Sequence, residues 1–406
     1  MTRILKIALG VMTAIGGFVD VGNLVTSGIT GARFGMSLTW AIVIGTIGMT
    51  LYGEMAGRVS AVARRPVFHI VRERLGVRTA LANLAAFMLL SLAAEIGGVA
   101  LVLELVTGFN YLVWVPLIGA AVWLVVWRLP FGVMENLFGL LGLCLLVFVV
   151  ALFVLPTDWG MLWHGTTHPS VPPQEGHPVY LFYAVSLFGA CLMPYQVVFF
   201  SSGGREEHWT SRNLGEMRTN AIVGFPLGAL LSVAIMAAAA VVLQPSGIDV
   251  NHLGQVALPV AQALGPVGLV LALIGFAAAM FAAGTECALS IGYSAAQFFG
   301  WGWGKDRQPR DAPQFHVICL AAVIAATAFI LTSIDPVTVT IVSVVLGAAA
   351  VPLTYFPVLV VANDHDYMGR HVNRRWLNAV ATTFLALMVV TSIVTIPLIL
   401  FTKAGK

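Results

Sequence analysis

Charge is scarce in this sequence. Asp, Glu, Lys and Arg together make up 10% of 406 residues, 59% are hydrophobic, and the mean hydropathy is +0.92. A water-soluble domain carries roughly a quarter charged residues, so this composition excludes one and points to a bilayer. No run of basic residues occurs and the net charge is only +3, which excludes a nucleic-acid-binding arm. Cysteine is also sparse. Cys144, Cys191, Cys287 and Cys319 all fall in apolar stretches without metal-ligand spacing or a pairing pattern, and read as small buried residues. The chain has no Gly-rich phosphate loop, no His-Glu-x-x-His and no nucleophile elbow, so neither ATP-driven transport nor membrane proteolysis is expected, and no enzyme activity or cofactor.

What the sequence does have is a series of apolar runs, each long enough to cross about 30 Å of hydrocarbon as a helix. Interruptions by polar residues, Pro or Gly predict eleven spans, at 5–30, 35–56, 82–106, 112–127, 134–155, 179–201, 219–243, 266–294, 316–333, 337–361 and 377–401. Nothing remains for a soluble domain, so 1–406 reads as one all-α transmembrane unit. The first run lacks a small-residue cleavage pattern and is expected to be retained as a span.

The basic residues orient the spans, because Lys and Arg near span ends stay on the cytoplasmic side. Arg3, Lys6, Arg58, Arg64, Arg65, Arg72, Arg74, Arg78, Arg128, Arg205, Arg212, Arg218, Lys305, Arg307, Arg310, Arg370, Arg374 and Arg375 fall on one side, 18 of the 21. Only Arg33, Lys403 and Lys406 fall on the other, and the loops 156–178 and 244–265 carry neither residue type. This split places the N-terminus in the cytoplasm and the C-terminus outside.

Two spans are interrupted. Span one contains Gly16-Gly17-Phe18-Val19-Asp20-Val21-Gly22-Asn23, which puts a carboxylate near mid-membrane. Such a charge costs about 2.5–3.5 kcal/mol on insertion scales, so it calls for a cavity, a partner or a cation. Span six contains Gly189-Ala190-Cys191-Leu192-Met193-Pro194-Tyr195-Gln196. Pro194 has no N–H to offer the Ala190 carbonyl four residues earlier, which leaves a backbone oxygen free. If spans 1–5 (5–155) and 6–10 (179–361) form two halves with an extra span at 377–401, the two interruptions correspond. The odd number of spans per half makes the repeat inverted, and matched breaks of this kind point to a central transport site. Glu95 in span three and Glu286 in span eight also occupy equivalent places.

These motifs resemble those of the Nramp family of divalent metal transporters, whose pattern is Asp-Pro-Gly-Asn in span one and Ala-x-x-Met-Pro-His in span six. The similarity extends through Gly31-Ala32-Arg33-Phe34-Gly35, Glu95 to Gly108, and Asp366-Tyr367-Met368-Gly369. The resemblance implies a LeuT-like fold with discontinuous helices 1 and 6, and a metal site made of Asp20, Asn23, Met193 and the Ala190 carbonyl. The donor chemistry agrees: a carboxylate and an amide oxygen with a thioether suit Mn, Fe, Co, Zn or Cd better than Mg or Ca.

Departures from the family pattern alter the expectation for protons. Val21 replaces the family proline, so the first break is expected to rest on Gly16, Gly17 and Gly22. Tyr195 and Phe200 stand where histidines are usual, Leu92 stands where an aspartate is usual, and span nine has no arginine. Tyrosine titrates near 10 and cannot replace histidine as a carrier at neutral pH. Glu95, Glu286 and Tyr195 remain as candidate proton or outer-shell groups, with packing or hydrogen bonding as the alternative for each. Glu54, Glu104 and Glu135 lie nearer span ends, where solvation or ion pairing is expected. The loop after span five, with His164, His168 and His177, reads as a flexible Pro-rich cover.

The resulting expectation is a secondary importer of Mn- or Fe-type divalent cations, working by alternating access in a bacterial inner membrane, with weak or altered proton coupling. The alternatives are a magnesium-type relative without proton coupling, or an amino-acid or organic-solute transporter on the same scaffold. The expected partners are the ion and membrane lipid, with no protein or nucleic acid.

Overall fold

The computed structural model describes residues 18–75 and 81–403. Arg3, Lys6, Gly16, Gly17, Arg78 and Lys406, with the first half of span one, lie outside them. The described residues are helical without strands. In chain order the helices are α1 (Val21–Phe34), α2 (Thr39–Ala63), α3 (Val67–Leu75), α4 (Leu81–Thr107), α5 (Tyr111–Arg128), α6 (Phe131–Gly142) and α7 (Val147–Val154). The second part comprises α8 (Trp159–Thr167), α9 (His177–Ala190), α10 (Pro194–Glu206), α11 (Leu214–Thr219), α12 (Phe225–Val242), α13 (Leu253–Val256), α14 (Leu258–Phe299), α15 (Pro313–Ile330), α16 (Pro336–Ala362), α17 (His365–Met368) and α18 (Arg375–Thr402).

Among the described residues nine helical segments are long and apolar enough to cross a membrane, from Met88–Thr107 to Arg375–Thr402. They match expected spans three to eleven. Helix α2, at 25 residues, is long enough for span two but carries Glu54 and Arg58 in its second half. Those two charges form an ion pair at 3.1 Å, and Arg218 joins Glu54 at 2.9 Å, so the expected pairing of Glu54 holds. Large apolar side chains such as Phe153, Leu400 and Phe401 are more than 70% exposed, as lipid-facing residues would be.

Helix α4 runs through the centre, packed along α14 and α16, while α1 packs on α12 and α10 lies between α2 and α14. Small residues allow the backbones to approach, which is how helices associate where burial in lipid supplies no hydrophobic drive. At Gly31 a β-carbon would sit 2.2 Å from the Met236 carbonyl oxygen on α12, and at Gly189 one would sit 2.6 Å from the Ala348 β-carbon on α16. Gly31→Val is therefore expected to push α1 from α12 at a cost of roughly 1–3 kcal/mol or more. A melting temperature equal to that of the native protein would show that this seam is not tight.

Two loops differ from the sequence expectation. Residues 156–178 hold helix α8, which Asp158 caps by accepting the Met161 N–H at 3.0 Å, with the His164 and His168 rings stacked at 4.5 Å. Pro156 precedes α8, and Pro169, Pro172, Pro173 and Pro178 follow it, so none interrupts it. The loop expected at 244–265 is helical from Leu258, in the first part of α14; Gly265 at φ 64° and Pro266 kink that helix where span eight was expected to begin, and it runs past 294 to Phe299, where Gly300 ends it at φ 72°.

Candidate functional site

The site begins with the geometry of Asp20. Phe18 is helical, Val19 and Asp20 are not, and α1 starts at Val21. Asp20 is extended (φ −115°, ψ −179°) and caps α1, with Oδ1 accepting the Asn23 N–H at 2.8 Å. A capping carboxylate satisfies a helix donor that has no partner of its own and faces the positive end of the dipole. Gly22 follows because a β-carbon there would sit 2.6 Å from Val344 on α16.

On the facing segment α9 stops at Ala190 and α10 starts at Pro194, with Met193 at φ −58°, ψ 129° between them. The Ala190 carbonyl, deprived of a donor by Pro194, accepts instead from Asn23 Nδ2 at 3.2 Å. The same Nδ2 donates to the Phe18 carbonyl at 2.8 Å and to Asp20 Oδ1 at 3.2 Å. Three acceptor oxygens from the two facing segments, 18–20 and Ala190, thus converge on the Asn23 amide nitrogen. Met193 is buried, with its sulfur over Gly347, where a β-carbon would sit 3.1 Å away. Span ten therefore makes room for both segments, through Val344 and Gly347 to Ala348.

Tyr195 donates its hydroxyl to Asp20 Oδ2 at 3.0 Å, while Ser290 on α14 donates to the Tyr195 carbonyl at 3.1 Å. Its place is beside the carboxylate rather than within the ring of acceptors. Glu95 lies on the other side of the break: both of its oxygens accept the Val21 N–H at 3.3 Å. The residue type at 21 matters here, because a proline would have no hydrogen to give. Asp20, Glu95 and Glu286 are all at least 94% buried, and the charged groups within electrostatic reach of Glu95 are Asp20 and Glu286.

Sequence reasoning missed three participants. The Phe18 carbonyl and the Val21 N–H are backbone groups without a residue signature, and Cys191, read only as packing, turns its thiol toward Asn23 Oδ1 at 3.9 Å. Its position inside the Ala190–Pro194 bracket was the available signal. Among the described residues no three His, Cys, Asp or Glu side chains converge to hold a metal. A cation at this centre would draw on neutral donors as well as on Asp20.

A family profile described as natural resistance-associated macrophage protein-like, Nramp, matches residues 10–397. The chain belongs to the Nramp family. Nramp relatives include proteins named divalent metal cation transporter MntH from Pectobacterium carotovorum, 23% identical over 92% of this chain and 89% of that protein, and from Verminephrobacter eiseniae, 25% identical over 90% and 83%. A solved manganese transporter from Eremococcus coleocola, in mutant form, superposes with a TM-score of 0.72 at 19% identity, covering 96% of this chain and 85% of that one. The nucleobase-cation symporter Mhp1 gives 0.58 at 15% identity, over 98% and 91%. Nramp proteins are transporters, not enzymes, and the structural neighbours place this chain among LeuT-like folds.

The contact between Val21 and Glu95 is testable in this Nramp chain. Proline is tolerated at the first position of a helix, so Val21→Pro should keep α1 while removing the donor. The loss of a hydrogen bond to a buried carboxylate is expected to cost about 1–3 kcal/mol, read as a lower melting temperature. An unchanged melting curve would mean that Glu95 is not held by this N–H.

Proposed function

We propose that this protein is a secondary importer of divalent transition-metal cations of the Mn and Fe type, cycling by alternating access around Asp20, Asn23, Met193 and the Ala190 carbonyl. The observation that carries the reading is the pairing of a buried carboxylate with acceptor oxygens from two broken segments, in a centre whose other charged groups, Glu95 and Glu286, are also acidic. Buried negative groups without a basic partner favour a cation, and the names of the Nramp relatives specify divalent metals. Rotation of the Asn23 amide would exchange its nitrogen for its oxygen toward the ion, completing an oxygen set to which Met193 adds sulfur.

The full architecture proposed is eleven spans, with inverted halves at 5–155 and 179–361, discontinuous helices 1 and 6, and an extra span at 377–401. The basic loops face the cytoplasm, so the N-terminus is inside and the C-terminus outside a bacterial inner membrane. Proton coupling is proposed to be weak or altered. Tyr195 and Phe200 replace the histidines of the Nramp pattern, which leaves Glu95 and Glu286 as the groups able to carry or balance a proton. The same replacement favours the magnesium-type alternative, which Met193 opposes because a thioether adds little for a hard ion. An amino-acid substrate is disfavoured because its carboxylate would meet Asp20.

Uptake into proteoliposomes tests the reading, with a panel of divalent ions and with or without a proton gradient. Saturable Mn and Cd uptake that changes little when the gradient is imposed is the expected result. Ready Mg uptake with Mn and Cd ignored would overturn the metal assignment.

A further inference from the structure

Away from the central site, at the far end of α10, the turn between α2 and α3, the end of α10 and the segment Trp301–Arg307 enclose a cleft of about 660 Å³. Arg64, Arg205 and Arg307 line it with His208, Trp301 and Trp303. None of the three arginines forms an ion pair among the described residues. Arg205 donates to the Trp209 carbonyl at 3.1 Å, and the charged group within its electrostatic reach is Arg64, another cation. Two carboxylates, Glu206 and Asp306, also line the cleft, and one oxygen of each is engaged by N–H or O–H donors. Glu206 accepts from the Tyr293 hydroxyl at 2.9 Å and the Lys305 N–H at 2.6 Å, Asp306 accepts from the Phe131 N–H at 3.0 Å, and Arg65 on the rim is paired with Glu73 at 3.1 Å.

Backbone conformation adds a second, independent sign. Arg64 at φ 53° and His208 at φ 56° are two of the four non-glycine residues with positive φ among the described residues, and both line this cleft. Left-handed backbone at a non-glycine residue is disfavoured and concentrates at ligand clamps, where the surroundings hold it in place. The loop that carries Arg307 is pinned as well, since the buried Lys305 ammonium donates to the carbonyls of Val125 at 3.0 Å, Val126 at 3.2 Å and Leu129, at the end of α5.

We propose that this cleft binds a phosphate-bearing anion. Guanidinium forks match phosphate oxygens with paired donors. Arg64 and Arg307 are exposed and Arg205 is half-buried, so the three are open to an anion arriving from solvent. A bound phosphate would join the α2–α3 turn, the end of α10 and the loop after α14, three separate elements at one face of the bundle. The oxygens can come from an anionic lipid headgroup or from free phosphate, and the site's chemistry serves both.

The test uses the purified full-length protein in native mass spectrometry, with phosphatidylglycerol, phosphatidylcholine and inorganic phosphate as separate probes. The site variant combines Arg64→Gly with Arg307→Ala, and a control combining Arg212→Ala with Arg375→Ala removes the same charge elsewhere. Glycine adopts the backbone of position 64 without strain, so the site variant should melt no lower than the control, which separates lost binding from lost fold. Phosphatidylglycerol or phosphate retention about tenfold weaker in the site variant and little changed in the control supports the proposal. Preference for phosphatidylglycerol over phosphatidylcholine without retained phosphate makes the source lipid; retained phosphate that displaces phosphatidylglycerol makes it the free anion. Equal weakening in both variants, or no change in either, overturns it.

Discussion

Asp20→Asn is expected to reduce Mn and Cd uptake into proteoliposomes to the level of protein-free vesicles while leaving the melting temperature close to native. The two halves of this outcome have separate causes. Asn and Asp cap helices about equally well, so the bond to the Asn23 N–H at 2.8 Å can be kept and α1 should still start at Val21. The charge cannot be kept. Asp20 is the only acidic group in the proposed ligand set, and a dication in a low-dielectric centre without its carboxylate loses about 3 kcal/mol or more, roughly a hundredfold in affinity. Asp20→Ala removes the cap as well and should both abolish uptake and destabilise the first break by about 1 kcal/mol. Uptake above a tenth of native in a folded Asp20→Asn variant would remove this residue from the ion's path.

Met193→Ala is the second large effect. It should weaken Cd and Mn uptake by about tenfold or more while leaving Mg near its native level, narrowing the discrimination between soft and hard ions. Sulfur contributes through polarisable bonding, which Mg scarcely uses, so the Cd to Mg ratio falls by about the same factor as Cd uptake itself. The side chain is also buried over Gly347, where its loss leaves a cavity, and truncation of a buried Met costs about 2–5 kcal/mol. Met193→Leu keeps that volume and removes only the sulfur. An unaltered Cd to Mg ratio in Met193→Leu would assign the residue to packing alone.

Much of the candidate site's local geometry was readable before any coordinates. A proline four residues after Ala190 dictates a carbonyl without its helical partner, and the structure shows that oxygen turned to Asn23. A carboxylate followed by Val-Gly-Asn in an apolar run reads as a break, and Asp20 is extended where the chain re-enters a helix. These features are local: they follow from a missing N–H and from backbone geometry within a few residues. The helix within 156–178 was hidden because its prolines dominate the composition of the loop, whereas the cap at Asp158 that starts α8 is a single residue.

The relation between Glu95 and Val21 was not readable, because the partners lie 74 positions apart and one of them is a backbone N–H. Sequence could flag the replaced proline only as a loss, whereas the fold shows that the recovered hydrogen meets the carboxylate on α4. The arginines of the cleft at the end of α10 likewise appeared only as contributors to a charge asymmetry. Which of them would pair with acids and which would remain together depended on how three distant segments meet.

By itself the sequence determined the apolar helices, the placing of most spans, the polar Asp20–Asn23 stretch in the first and the proline at 194 in the sixth, since hydropathy and backbone chemistry act along the chain. Tertiary structure decided which atoms of those stretches face one another, which buried acids share a centre, and which arginines lack an ion pair among the described residues. Direction and distance between remote segments are fixed by helix packing, and the close approach of α1, α9 and α16 rests on contacts that no stretch of residues encodes alone.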